Sequence, residues 1–259
     1  MTRMMTARRS DLTGSIVFIF GLLFGSFLNV CIYRIPAGQS IVHPPSRCGS
    51  CQTRLKPWDL VPVFSYLWLR GRCRYCQAAV SPRYPLVELL TGAIFLWCYA
   101  VFDLSHLLPA ALLLSLFLIV ISFIDYDHQL ILDKVLVWLA GAGLLFNLYT
   151  NQVGFFDMLG GGLLGGGLLL VIALASRGGM GGGDVKFAAT LGLWLGVKLT
   201  ILSLFLSFFL GGVGGALLLL LGIKKRKDMI PFGPFLAAGA FLTVLYSQDI
   251  IFWYFRLLW

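Results

Sequence analysis

Gly178-Gly179-Met180-Gly181-Gly182-Gly183-Asp184-Val185-Lys186 stands between two long apolar runs, and the rest of the chain is arranged around it. Each glycine loses more backbone freedom on ordering than any other residue, so a run this dense is costly. Glycine also lets a second backbone, or a substrate, come very close. An acid placed directly after it, at a membrane edge, reads as a functional site by default. The plain alternative is a flexible interhelical loop with a solvated Asp.

The flanking runs set the class. The chain has 259 residues, 59% hydrophobic and 12% charged, against roughly 25% charged in soluble domains. That is the composition of a polytopic membrane protein. In lipid every backbone polar group must be satisfied within its own segment, so the runs predict helices and an all-α fold. The formal charge of +9 could suit nucleic acid. The basic residues fall between apolar segments instead, which is a topology pattern, so no nucleic-acid partner is expected.

Eight candidate spans follow along the chain: 15–33, 86–102, 107–124, 130–149, 158–175, 187–197, 199–221 and 231–246. The run 187–197 is too short to cross alone at 1.5 Å per residue, so it reads as a half-helix or as part of a longer one. A signal peptide competes for the first run, but no small-residue cleavage site follows it. Residues 250–259, with Trp253, Tyr254, Arg256 and Trp259, read as interfacial.

Charge gives the orientation. If the polar block 35–85 is cytoplasmic, Arg34, Arg47, Arg54, Lys56, Arg70, Arg72, Arg74 and Arg83 lie inside. Alternation then also places Lys134, Arg177, Lys186 and Lys224-Lys225-Arg226-Lys227 inside, as the positive-inside rule favours. The tail (Arg3, Arg8, Arg9), Lys198 and Arg256 run against it and are outvoted.

Within that block, Cys48-x-x-Cys51 and Cys73-x-x-Cys76 have the paired spacing of a closed tetrahedral zinc site. A segment this small cannot build a large core, so a structural metal is useful there. The competing reading is free or redox-active thiols. Cys31 and Cys98 lie within apolar runs and read as buried cysteines; His43 is a possible accessory ligand.

Asp125, Asp127 and Asp133 surround the end of the third span. In this topology Asp125 and Asp184 emerge at the same membrane edge from different helices. Two carboxylates brought together cannot easily both ionise, so one holds a proton while the other acts as base on a water. The structural alternative is helix N-capping, which Asp127 or Asp133 would suit. Spacing alone does not choose between Asp125 and Asp127.

The ordered set of motifs resembles the type IV prepilin leader peptidases, membrane aspartic proteases that also methylate the new pilin N-terminus. It comprises Gly25-Ser26-Phe27-Leu28-Asn29-Val30, Tyr33-Arg34-Ile35-Pro36, the two cysteine pairs and Ser81-Pro82-Arg83-Tyr84-Pro85-Leu86-Val87-Glu88. The Asp125 stretch, Gly181-Gly182-Gly183-Asp184-Val185-Lys186 and Pro231-Phe232-Gly233-Pro234-Phe235 complete it.

The resemblance implies that Asp125 and Asp184 are catalytic, although Leu132 stands where the family carries proline. Gly181, Gly182 and Gly183 would let an extended substrate approach. The implied substrates are prepilins and type II secretion pseudopilins, cut after a glycine at the cytoplasmic face of a bacterial inner membrane. The leader would meet Asp127, Asp133 or lipid headgroups. The methyl donor implied is S-adenosylmethionine, with no contact residues legible; Glu88 is the one tempting acid. The expected organisation is a tail and first helix (1–34), a zinc-binding cytoplasmic domain (35–85) and a transmembrane peptidase domain (86–259). A related intramembrane aspartic protease with another substrate, or a zinc-stapled scaffold or transporter, is the alternative. The four-cysteine block weighs against the first, and the lack of an inverted repeat against the second.

Overall fold

The computed structural model describes residues 2–176, 179–223, 225 and 229–258. Arg177, Gly178, Lys224, Arg226, Lys227 and Trp259, used above, lie outside them. The described residues form helices α1 (Thr2–Arg34), α2 (Phe64–Trp68), α3 (Arg83–Phe102), α4 (Leu108–His128), α5 (Asp133–Thr150), α6 (Phe155–Ala175), α7 (Gly182–Leu220) and α8 (Gly233–Leu258), with a 3₁₀ turn at Pro57–Leu60. No β-strand occurs among them, only two isolated bridges. Six helices are long and apolar enough to cross a membrane: Leu12–Arg34, Arg83–Phe102, Leu108–His128, Phe155–Ala175, Gly182–Leu220 and Gly233–Tyr254. The fold is all-helical, as expected. The helix α5, which begins with Asp133 and Lys134, is not among the six.

The chain divides into two compact units, Met1–Leu116 and Phe117–Trp259. In the first, α1 and α3 run antiparallel at backbone contact. A Cβ on Gly21 would sit 2.7 Å from the Cα of Gly92, and one on Gly25 2.7 Å from the Cα of Glu88. Small residues four apart let membrane helices approach this closely. The Asn29 side chain, one turn on, donates to the Tyr84 carbonyl at 3.1 Å and fixes the register.

In the second unit, α6 packs its glycine face on α7. Gly161 and Gly192 meet backbone to backbone, and Gly165 and Gly166 lie on Ala188 and Ala189. From α5, the Leu139 carbonyl accepts the Trp194 indole N–H of α7 at 2.7 Å, and Phe146 stacks on the same ring.

The long α7 is broken. Gly196 has φ +71° and ψ 176°, in the region that favours glycine. A Cβ on Gly165 would lie 2.5 Å from the Ala188 carbonyl oxygen and 3.2 Å from Thr200 Cγ2. In one continuous helix residues 188 and 200 would be about 18 Å apart, so the chain folds back at Gly196. The break frees backbone groups, which in hydrocarbon cost several kcal/mol each if left unmet. Two neighbours meet them. The Asn147 amide of α5 donates to the Leu193 and Trp194 carbonyls at 3.2 and 3.1 Å, and Asp157 of α6 accepts the Val197 N–H at 3.1 Å. The short run 187–197 is therefore the end of an arm that starts at Gly182, inside the glycine stretch.

Candidate active site

Asp125 lies in the last turn of α4 and is 6% exposed. Its Oδ2 accepts the Gly233 backbone N–H at 2.9 Å. Asp184 lies in the first turn of α7, three residues after the N-cap Gly181. A carboxylate there is favoured by the unpaired N–H groups and positive end of the helix. Asp184 is within electrostatic reach of Asp125, and its Oδ1 is buried with no hydrogen-bond partner. A buried unsatisfied carboxylate oxygen is costly in a native fold unless function uses it.

The three glycines do different things. A Cβ on Gly181 would lie 3.2 Å from Asp184 Oδ2, one on Gly183 would lie 2.9 Å from Ile131 Cβ, and Gly182 faces open space. Gly183 thus seats α7 on the segment between α4 and α5.

Asp127 is exposed in the last turn of α4, and Asp133 is held by Lys186 at 2.9 and 2.8 Å. Neither caps a helix start: the N-cap of α5 is Leu132, with extended φ −82° and ψ 125° and no side-chain cap, and Asp133 follows it. The capping expectation for these two is corrected. The residue that sequence reasoning missed is Gly233: it stands within a quoted motif, but only a contact across 108 positions gives it a role.

In the first unit, the sulfurs of Cys48, Cys51, Cys73 and Cys76 all lie within 4.8 Å of one another, with Cys48 and Cys76 at 3.8 Å. Tetrahedral zinc with Zn–S near 2.3 Å sets its sulfurs about 3.8 Å apart, so the donor set fits a metal. Each pair sits on a tight turn. Cys48 N–H bonds Thr53 O and Gln52 N–H bonds Cys48 O; Cys73 N–H bonds Ala78 O and Gln77 N–H bonds Cys73 O. Gln52 and Gln77 share positive φ, 56° and 58°. The side chain and backbone of Thr53 lower the Cys51 thiol to about 6, while at Cys76, against the Ala78 backbone, burial and the neighbouring thiols hold the thiol up at about 11, so the four sulfurs titrate as one set. His43, Cys31 and Cys98 are not part of the cluster.

Asp59, at the 3₁₀ turn, holds the second knuckle. Its carboxylate accepts from Arg74 Nε at 2.6 Å, Tyr75 OH at 2.9 Å and the Lys56 N–H at 3.1 Å. Burial opposes its charge, yet these donors keep its carboxyl below the usual carboxylate range. Glu88 accepts the Val63 N–H at 2.7 Å, where Val63 has φ +62° at the start of α2. It is 7% exposed and ties the polar block to α3. Between the block and the ends of α1 and α3 lies a cleft of about 880 Å³, lined in part by Phe27, Tyr33, Arg34, Arg47, Arg72 and Tyr84.

An all-helical membrane protein that brings two aspartates of separate helices together, and that also carries a four-thiol metal-type cluster, defines the class. The chain belongs to the type IV leader peptidase family. Residues 112–216 match the model of that family, and residues 19–102 match that of the bacterial peptidase A24 N-terminal domain. The chain is 37% identical over 248 residues to the prepilin leader peptidase/N-methyltransferase of Bacillus subtilis, covering 94% of this chain and 98% of that protein. It is 36% identical over 270 residues to the protein of the same name from Aeromonas salmonicida, covering 93% of each. The one from Pseudomonas aeruginosa is 34% identical over 260 residues, covering 90% of each. No solved structure matches the chain.

Proposed function

We propose that this protein cleaves the leader of type IV prepilins and type II secretion pseudopilins after a glycine, and N-methylates the residue exposed. The single observation that carries the peptidase reading is the buried, unpartnered Oδ1 of Asp184 within reach of Asp125. Two such carboxylates share a proton and activate a water. The water oxygen bonds to the scissile carbonyl carbon as its proton passes to the ionised carboxylate. The partner carboxyl hydrogen-bonds the carbonyl oxygen. The C–N bond then breaks and the leaving amine takes up a proton. Gly182, facing open space, is where an extended substrate can lie against the backbone. A basic leader would meet Asp127, Asp133 or lipid headgroups, and at Asp133 it would compete with Lys186.

Counting α5 and both arms of α7 gives eight membrane-embedded segments. On that reading residues 35–85, Asp125 and Asp184 would face the cytoplasmic side of a bacterial inner membrane, with residues 86–259 as the peptidase domain. Cysteine labelling from outside intact cells is then expected to reach a probe at Gln248 and not one at Gln52, both exposed positions. The opposite pattern would overturn the orientation.

The four cysteines would hold one zinc, which supplies a closed structural cross-link and no open position for chemistry. The cleft in the first unit is our candidate for S-adenosylmethionine. Arg34, Arg47 and Arg72 suit its carboxylate, and the rings of Phe27, Tyr33 and Tyr84 suit the adenine and the sulfonium cation. Purified protein given a prepilin should show cleavage and methyl transfer when each is scored separately. Calorimetry should show S-adenosylmethionine binding, weakened about tenfold by combined Tyr33→Ala and Tyr84→Ala, with leader cleavage retained. Unchanged binding in that variant would remove the cleft from the reading.

A further inference from the structure

Asp125 and Asp184 are not equivalent. One oxygen of Asp125 is already held by a backbone N–H, while Asp184 has a buried oxygen that nothing holds. The donor is the first residue of α8, where N–H groups have no acceptor within the helix. Giving that N–H to Asp125 costs the helix no bond of its own, and the helix's positive end adds to the attraction. Pro234, next in the chain, lacks an N–H and so brings no competing donor. The segment is held in place by its rings: Phe232 lies 5.2 Å from Phe208 of α7 and 6.5 Å from Phe235. The residue at 233 must also be small. A Cβ there would sit 2.6 Å from Asp125 Oδ2 and 3.1 Å from its Cγ.

We infer that Gly233 is a positioning residue for cleavage: its backbone N–H fixes Asp125 Oδ2 as an acceptor, and its missing side chain leaves room for that carboxylate. The proton shared by the pair is thereby kept off Asp125 Oδ2. The free Oδ1 of Asp184 is left to face the water or the substrate carbonyl. This inference rests on Asp125 and Asp184 being the catalytic pair, and it makes the entry of α8 part of the catalytic geometry.

Two variants separate the two contributions. Gly233→Ala keeps the N–H and adds the clash. Gly233→glycolic acid, introduced by nonsense suppression, turns the amide into an ester and removes the N–H without adding an atom. The ester is expected to lower kcat for prepilin cleavage about 10–100-fold with KM nearly unchanged, the usual weight of a hydrogen bond to a charged group. Gly233→Ala should lower kcat at least as much. Both should lose affinity for a prepilin-derived peptide carrying a hydroxyethylene isostere at the scissile position, because that probe reads the geometry of the pair itself. A merely structural residue would instead change substrate KM and thermal stability along with kcat. Should Gly233→Ala fail to fold, the ester variant decides. Wild-type kcat and isostere affinity in the ester variant, with Asp125→Asn inactive, would overturn the positioning role alone. An active Asp125→Asn enzyme would instead bring down the catalytic pair and the inference with it.

Discussion

Asp184→Asn is expected to insert and fold normally yet to stop leader cleavage, and Asp125→Asn to do the same. Asparagine keeps the shape of the side chain, so in the Asp125→Asn variant the amide oxygen could still receive the Gly233 N–H. What is lost is the ability to take or give a proton. A shared-proton pair fails when either member becomes an amide, and loss of one general acid–base partner typically costs about 10²–10⁴-fold in rate. Such a loss is visible on a gel as uncut prepilin. Methyl transfer to a pilin already cleaved should persist in both variants, because the cleft lined by Tyr33 and Tyr84 belongs to the first compact unit. Asp127→Asn and Asp133→Asn should retain most cleavage, since Asp127 is exposed and Asp133 is occupied by Lys186. Normal cleavage by Asp125→Asn together with none by Asp127→Asn would move the pair to Asp127 and Asp184.

Stripping the metal should have the second large effect. Elemental analysis of purified protein is expected to find close to one zinc per chain, and Cys48→Ser or Cys73→Ser to release it. Structural zinc supplies on the order of 10–16 kcal/mol of apparent folding energy in small zinc domains. The block 35–85 has two isolated bridges, short turns and the Asp59 network in place of a large core. Without zinc it should open, and trypsin should cut after Arg47, Arg54, Arg70 or Arg72 at least tenfold faster than in the intact protein. A fully active, metal-free preparation that resists trypsin would sink the zinc assignment.

Much of this was legible in the chain because it depends on local spacing. The two cysteine pairs meet because each folds on its own tight turn. The helices follow from runs too apolar for water. What could not be read depends on partners far away in sequence. The run 187–197 looked short because the helix begins inside the glycine stretch, where propensity argues against a helix and packing on Ile131 argues for one. The turn at Gly196 exists because Asn147 and Asp157 meet the groups it frees, and neither residue announces that task. Glu88, the tempting acid for the methyl donor, lines the cleft, and its hold on the Val63 N–H is a contact across 25 positions that spacing does not announce. Gly25 and Asn29, read first as a family signature, are a backbone contact and a register pin between α1 and α3.

The break in α7 also bears on how the protein is made. Its two caps come from α5 and α6, which leave the ribosome before Gly196 does. By the time the fold-back reaches the bilayer, the amide that donates to its loose carbonyls and the carboxylate that accepts its N–H are already in place. A hairpin that would be a poor traveller in lipid by itself thus enters a berth prepared by the two segments made just before it. The order of segments in the chain is an assembly sequence as well as a topology.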